Sequence, residues 1–156
     1  MLQKITPFLW FNDQAEEAAN YYVSIFKNSK IATIVHTGDA GPGPKGSVLV
    51  VDFELEGQTF TALNGGPQFP FTEAVSFLVH CEDQKEVDYF WTKLTSDGGT
   101  ESQCGWLKDK YGLSWQITPN RMLEMLKDPA TSDKMMKAMM TMKKIDLKTL
   151  EDAVAR

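Results

Sequence analysis

The chain repeats itself, and this duplication constrains its fold more than any other feature. Thr6-Pro7-Phe8-Leu9-Trp10-Phe11-Asn12-Asp13 and Ser76-Phe77-Leu78-Val79-His80-Cys81-Glu82-Asp83 are both apolar strand patterns closing on an aspartate. Each is followed by a helical pattern and then by further strand-like segments. A duplicated strand-helix-strands unit predicts two half-domains related by a pseudo-twofold, with a concave site where they meet.

The first unit reads as a strand over 5–11 and a helix over 14–26. Asp13 stands at the N-cap position with Glu16 three residues later, a capping-box pattern. Ala15, Ala18, Ala19, Tyr22, Ile25 and Phe26 recur at helical spacing. The β-branched segment 30–37 reads as a strand. The Gly- and Pro-rich stretch 38–46 is a loop that lacks the GxxxxGK spacing of a phosphate cradle. Residues 48–56 and 58–63 read as a hairpin turning at Glu56-Gly57.

The second unit repeats this order. A strand over 73–81 leads to a helix from Asp83, with Val87, Phe90, Trp91 and Leu94 on one stripe and Asp97-Gly98-Gly99 as its stop. Strands follow near 100–107 and 113–118. A helical tail opens at Pro119-Asn120, breaks at Asp128-Pro129 and continues as helices over 132–143 and 146–155. Met135, Met136, Met139, Met140 and Met142 lie at helical spacing and read as packing residues that cover the sheet or a partner subunit. The reading is a single α+β domain, 1–156, with modules at 1–66 and 72–118 and C-terminal helices at 119–156.

Charge and composition exclude several functions. Sixteen basic residues against 21 acidic ones give a formal charge of −5, so no nucleic acid partner is expected. No apolar run approaches the roughly 20 residues of a membrane span, so no membrane association is expected. Leu2-Gln3-Lys4-Ile5-Thr6 contains no signal-peptide core, and a cytoplasmic location is the expectation. Cys81 and Cys104 are too few and too far apart for a disulfide framework or a CxxC metal site, and read as buried thiols.

The βαβββ–βαβββ order resembles the vicinal oxygen chelate superfamily, which includes glyoxalase I, extradiol dioxygenases and fosfomycin-resistance proteins. Ile5-Thr6-Pro7-Phe8-Leu9-Trp10-Phe11, Ser76-Phe77-Leu78-Val79, Cys104-Gly105-Trp106-Leu107 through Asp109-Lys110-Tyr111-Gly112, and Ser114-Trp115-Gln116-Ile117 resemble the PhnB-like family more closely. The run CGWxxDxxGxxWQ is specific, and the segment from Met139 to Asp146 is similar to that family as well. Many of its members carry the label 3-demethylubiquinone-9 3-methyltransferase. No GxGxG lies between a strand and a helix here, so the Gly-rich turn by which a methyltransferase of the usual kind holds its cofactor is not expected. The reading includes no cofactor.

The resemblance also implies where a metal would sit. Metal-dependent relatives hold a divalent ion through His on the first strand of each half and Glu on the last. Matching the pattern HVxLxVxD to the two aspartates gives Thr6 and Ser76. Matching DPDGxxxE to Gly112 gives Gln116, and to Gly57 gives Thr61, or Asn64 with a shifted register. Hydroxyls and amides are poor substitutes for imidazole and carboxylate, so no metal is expected. His36 and His80 read as strand-end residues, each a general base only if a partner is placed beside it. Ser76 and Cys104 have no His–carboxylate company to activate them.

Strand alternation puts Phe8 and Trp10 on the face of Thr6, and Trp106 on the face of Cys104. The candidate pocket is therefore Thr6, Phe8, Trp10, Thr61, Asn64, Ser76, Cys104, Trp106 and Gln116, suited to a flat or weakly polar small molecule. The expected function is metal-independent binding of such a ligand by a homodimer, as is common among the relatives. The alternatives are an enzyme of the same superfamily, with a weak or atypical metal site or acting through Cys104 or a histidine, and an interaction protein working through its Met-rich tail. The last predicts that deleting 120–156 abolishes function while leaving the pocket intact.

Overall fold

The structure, a computed structural model, describes residues 3–156. Its first five elements are β1 (Phe8–Phe11), α1 (Ala15–Ile25), β2 (Lys30–His36), β3 (Val48–Leu55) and β4 (Gln58–Asn64). The next five are β5 (Ser76–Cys81), α2 (Gln84–Thr95), β6 (Thr100–Glu101), β7 (Trp106–Lys108) and β8 (Ser114–Pro119). The two sheets have the same topology, β1-β4-β3-β2 and β5-β8-β7-β6. In each, the first strand is parallel to the last and the other pairs are antiparallel. The α+β duplication expected from the repeat is therefore present. The chain divides into two compact units, the first ending at Phe71 and the second starting at Thr72.

In the first unit, alternation sends Leu9, Phe11, Val51, Phe53, Leu55, Phe60 and Ala62 to one side of the sheet. There they bury against Ala15, Ala18, Ala19, Tyr22 and Ile25 of α1. Phe53 stacks on Phe60 with centroids 5.5 Å apart. The hairpin between β3 and β4 turns at Glu56 and Gly57, both at positive φ (50° and 81°). That is the type I′ geometry whose twist matches paired strands, and Gly57 enters it without a Cβ penalty.

Two local expectations differ. The strand expected from residue 5 begins at Phe8, and the capping box at Asp13 does not form. Gln14 is the N-cap residue and makes no side-chain cap. Asn64, at the end of β4 and level with Phe11, instead accepts the Ala15 N–H with its Oδ1 at 2.8 Å. A long-range acceptor has displaced the local one.

The second unit keeps its helix signals. Asp83 caps α2 by accepting the Glu86 N–H at 2.9 Å, and Glu86 returns to accept the Glu82 N–H at 2.7 Å. Val87, Phe90, Trp91 and Leu94 are buried on the α2 side of the sheet, as are Leu107, Trp115 and Ile117. The strand expected over 100–107 is broken into β6 and β7. Between them Cys104 and Gly105 adopt positive φ (60° and 84°).

This turn receives the tail. The N–H groups of Cys104 and Gly105 donate to the carbonyls of Met142 and Lys143, both at 2.8 Å. The tail consists of α3 (Asn120–Lys127), α4 (Ser132–Met139) and α5 (Leu147–Ala155). The helix expected through 143 stops at Met139, and the carbonyls of residues 142 and 143 bond to the turn instead. Met122, Met125, Met135, Ile145 and Leu150 form a buried cluster, with Met139 and Met142 packed against it. Met136 and Met140 are exposed and do not cover this chain's own sheet. Gln84 grips the same segment: its Nε2 donates to Ile145 O at 2.9 Å and its Oε1 accepts the Leu147 N–H at 2.8 Å. Among the described residues no helix is long and apolar enough to cross a membrane.

Candidate functional site

In the second unit, the face opposite α2 carries Ser76 and Leu78 of β5, Ser114 and Gln116 of β8, and Trp106 of β7. The register sets Ser76 level with Ser114, and Gln116 level with both Leu78 and Trp106. Gln116 Nε2 donates to Ser76 Oγ at 2.9 Å. The amide oxygen of Gln116 and the hydroxyl proton of Ser76 then remain to accept from and donate to a ligand. Ser114 Oγ is buried and has no partner among the described residues. Lys108, level with Ser114, is paired with Glu73. Its hydrogen bond holds the Glu73 carboxyl below the usual range.

The distinctive run around Asp109 builds this face. Asp109 is buried, and its Oδ1 accepts the N–H groups of Tyr111 (2.8 Å) and Leu113 (3.1 Å). Its Oδ2 accepts Trp115 Nε1–H at 2.9 Å. One carboxylate thus closes the β7–β8 turn and fixes the indole on the core side. That placement sets Gln116 opposite Trp106 on the other face. Trp115 is a core residue, whereas Trp106 is half-buried.

Cys104 does not lie on a strand with Trp106. The left-handed turn at 104–105 ends the alternation that predicted a shared face, and Cys104 sits half-buried where the tail docks. Burial pushes the Cys81 thiol up to about 12, with the negative charge of Glu86 adding to the shift, so it stays protonated and is no nucleophile at neutral pH. His80 is exposed with Nδ1 3.2 Å from Asn120 Oδ1, and His36 is exposed at the end of β2.

In the first unit the equivalent face carries Phe8, Trp10 and Thr61. Thr61 is buried, and its hydroxyl donates to Asp52 Oδ1 at 2.6 Å across the β3–β4 ladder. Asp52 was missed in the sequence, although its place between buried Val51 and Phe53 puts it on this face by alternation alone. It occupies in the first sheet the position that Trp106 occupies in the second, each level with the last-strand residue of its half.

Phe8 is level with Thr61 and 59% exposed. Trp10 is half-buried; its Nε1 donates to Gly66 O at 2.9 Å and its ring meets Phe69 edge-on. Gly65 allows this, because a Cβ there would lie 2.4 Å from the indole. Thr6 is half-buried just before β1. Asn64 lies on the α1 side, and both ends of its amide are used, on Ala15 and on Val48 O at 3.0 Å. It does not share a face with Thr61.

Among the described residues, no three His, Cys, Asp or Glu side chains gather as a metal-binding group. The divalent ion implied by the superfamily does not fit the donors present. In the second unit an amide and a hydroxyl bond each other, and in the first a hydroxyl is bonded to a single carboxylate. Neutral oxygens of this kind are weak ligands for a transition metal.

The model of the family described as 3-demethylubiquinone-9 3-methyltransferase matches residues 3–118. The chain is 40% identical to a putative 3-demethylubiquinone-9 3-methyltransferase, a PhnB protein from Bacillus cereus, over 75% of this chain and 99% of that one, with a TM-score of 0.68. A protein from Pseudomonas aeruginosa is 19% identical over 76% and 98% of the two chains, with a TM-score of 0.62. A genomically encoded fosfomycin resistance protein from Listeria monocytogenes is 13% identical over 76% and 94%, with a TM-score of 0.51. These last two show likeness of fold. No curated protein matches the chain significantly.

Proposed function

The chain belongs to the 3-demethylubiquinone-9 3-methyltransferase family, and from that premise we propose that it is a metal-independent small-molecule-binding protein. The observation that carries this reading is the Gln116–Ser76 hydrogen bond. It joins two neutral side chains at positions where metal-dependent relatives place a carboxylate and an imidazole. On the second sheet Ser76, Gln116 and the half-buried Trp106 combine a donor, an acceptor and a flat apolar surface. On the first, Thr6, Phe8, Trp10 and Thr61 offer a similar mixture. Such a surface suits a flat, weakly polar ligand whose carbonyl or hydroxyl meets the amide–hydroxyl pair.

Methyl transfer is not part of the proposal, because the segment joining β1 to α1, Asn12-Asp13-Gln14, has no glycine with which to cradle a cofactor. A homodimer is part of it. Ile34 and Val35 are exposed on the edge strand β2, apolar surface that a second copy would cover.

The test is to purify the untagged protein from its native host, denature it and identify the released small molecules by mass spectrometry. The wild type is expected to release one dominant compound, and Gln116→Ala and Trp106→Ala to release much less. Equal retention by all three proteins would overturn the assignment of this face.

A further inference from the structure

We propose that the first unit carries a second ligand site, a cleft that binds a small organic cation: a primary ammonium on an apolar body. The inference goes beyond the reading above and uses none of the ligand-binding residues named there. The cleft has a volume of about 770 Å³ and is lined only by residues of the first unit. It forms where the β1–α1 corner, the Gly- and Pro-rich loop and the segment after β4 meet.

Its charge is one-sided. Asp13 and Glu16 are the charged residues of its wall, which contains no lysine or arginine. Both carboxylates would be consumed by the capping box that the sequence suggests. Because Asn64 takes the Ala15 N–H instead, neither carboxylate has a hydrogen bond or ion pair among the described residues. The loop's own cation, Lys45, is held by Asp39 at 2.9 Å.

A third group points the same way. Thr37 lines the cleft, is only 4% exposed, and its hydroxyl has no partner among the described residues. The backbone holds it in place: its N–H donates to Ser47 O at 2.7 Å and its carbonyl accepts the Gly46 N–H at 2.8 Å. Its methyl lies beneath Gly41, while its hydroxyl lies toward Gly43, a residue of the cleft wall. A hydroxyl in the cleft wall that makes no bond within the protein can accept a ligand N–H. Pro42 and Pro44 supply apolar surface with no N–H to attract an anion.

The test is an NMR titration of the full-length protein with cyclohexylamine and with cyclohexanol, which has nearly the same shape without the charge. Cyclohexylamine is expected to give saturable shifts at Asp13, Glu16, Thr37 and Gly43, and cyclohexanol to bind about tenfold more weakly or worse. The exposed-site variant Asp13→Asn/Glu16→Gln should lose at least about tenfold in amine affinity. Thr37→Val, which keeps the side-chain shape, should lose about threefold with the remaining spectrum unchanged. Absence of saturable shifts, equal binding of the alcohol, or amine binding unaltered in the double variant would each overturn the proposal. So would calcium ions displacing cyclohexylamine stoichiometrically, which would assign the carboxylates to a metal.

Discussion

Gln116 and Ser76 sit on neighbouring parallel strands with the amide nitrogen of one 2.9 Å from the hydroxyl oxygen of the other. The pair lies two residues out of direct register, so the longer glutamine side chain reaches diagonally to the serine. The two dipoles meet each other and leave the second Gln116 N–H and the Ser76 O–H as donors and the Gln116 amide oxygen as an acceptor.

Gln116→Glu should not create a metal site. It adds one carboxylate beside the Ser76 hydroxyl, which can turn to donate to it, and a carboxylate with a neutral hydroxyl is a poor ligand set for zinc. Zinc titration by calorimetry is expected to show no tight binding in either the wild type or the variant.

Asp109→Ala should destabilise the second unit by about 3 kcal/mol, because it strands the buried Trp115 Nε1–H and two backbone N–H groups at once. Asp109→Asn keeps acceptor capacity and should cost less. Urea unfolding monitored by tryptophan fluorescence ranks the two.

Deleting 119–156 should not leave the second unit intact. It removes the carbonyl partners of Cys104 and Gly105 and the Ile145 and Leu147 backbone partners of Gln84. The truncated protein is expected to lose cooperative unfolding of that unit. Gln84→Ala, which frees Ile145 O, Leu147 N–H and one bond to Asp88, should cost about 1–2 kcal/mol.

Tail anchorage should weaken in acid. Hydrogen bonds from Lys144 and Gln84 hold the Asp88 carboxyl below its ordinary value of 3.8. A depressed folded value means a contribution present above the unfolded value and lost as pH falls through the folded one. Asp88 is half-exposed, so the effect is small. Hydrogen exchange at residues 142–147 should rise below about pH 4, and Lys144→Ala should reduce that pH dependence.

Iodoacetamide at pH 8 should label Cys104 and spare Cys81. The first is half-buried in a turn, and the second is buried with its thiol pushed up to about 12. Peptide mapping after brief exposure separates them.

Period-two alternation and helical stripes made both modules readable, because Val87, Phe90, Trp91 and Leu94 bury for local reasons. The candidate pair Ser76 and Gln116 was legible only through the resemblance, by matching the motifs of metal-dependent relatives to Asp83 and Gly112. Asn64 was not, because its role depends on a contact with Ala15 that is 49 residues away in the chain. Cys104 misled for a similar reason. The left-handed turn there is held by Met142 and Lys143, and a strand pattern reports nothing about a tail that docks 38 residues later. Asp52 was overlooked because a lone acidic residue within a strand signals little until Thr61 is placed beside it.

The most direct test of metal-independent binding is native mass spectrometry of untagged protein purified without chelators. The account predicts metal-free subunits, assembled in pairs and carrying an organic adduct that Gln116→Ala loses. One divalent ion per subunit would contradict it.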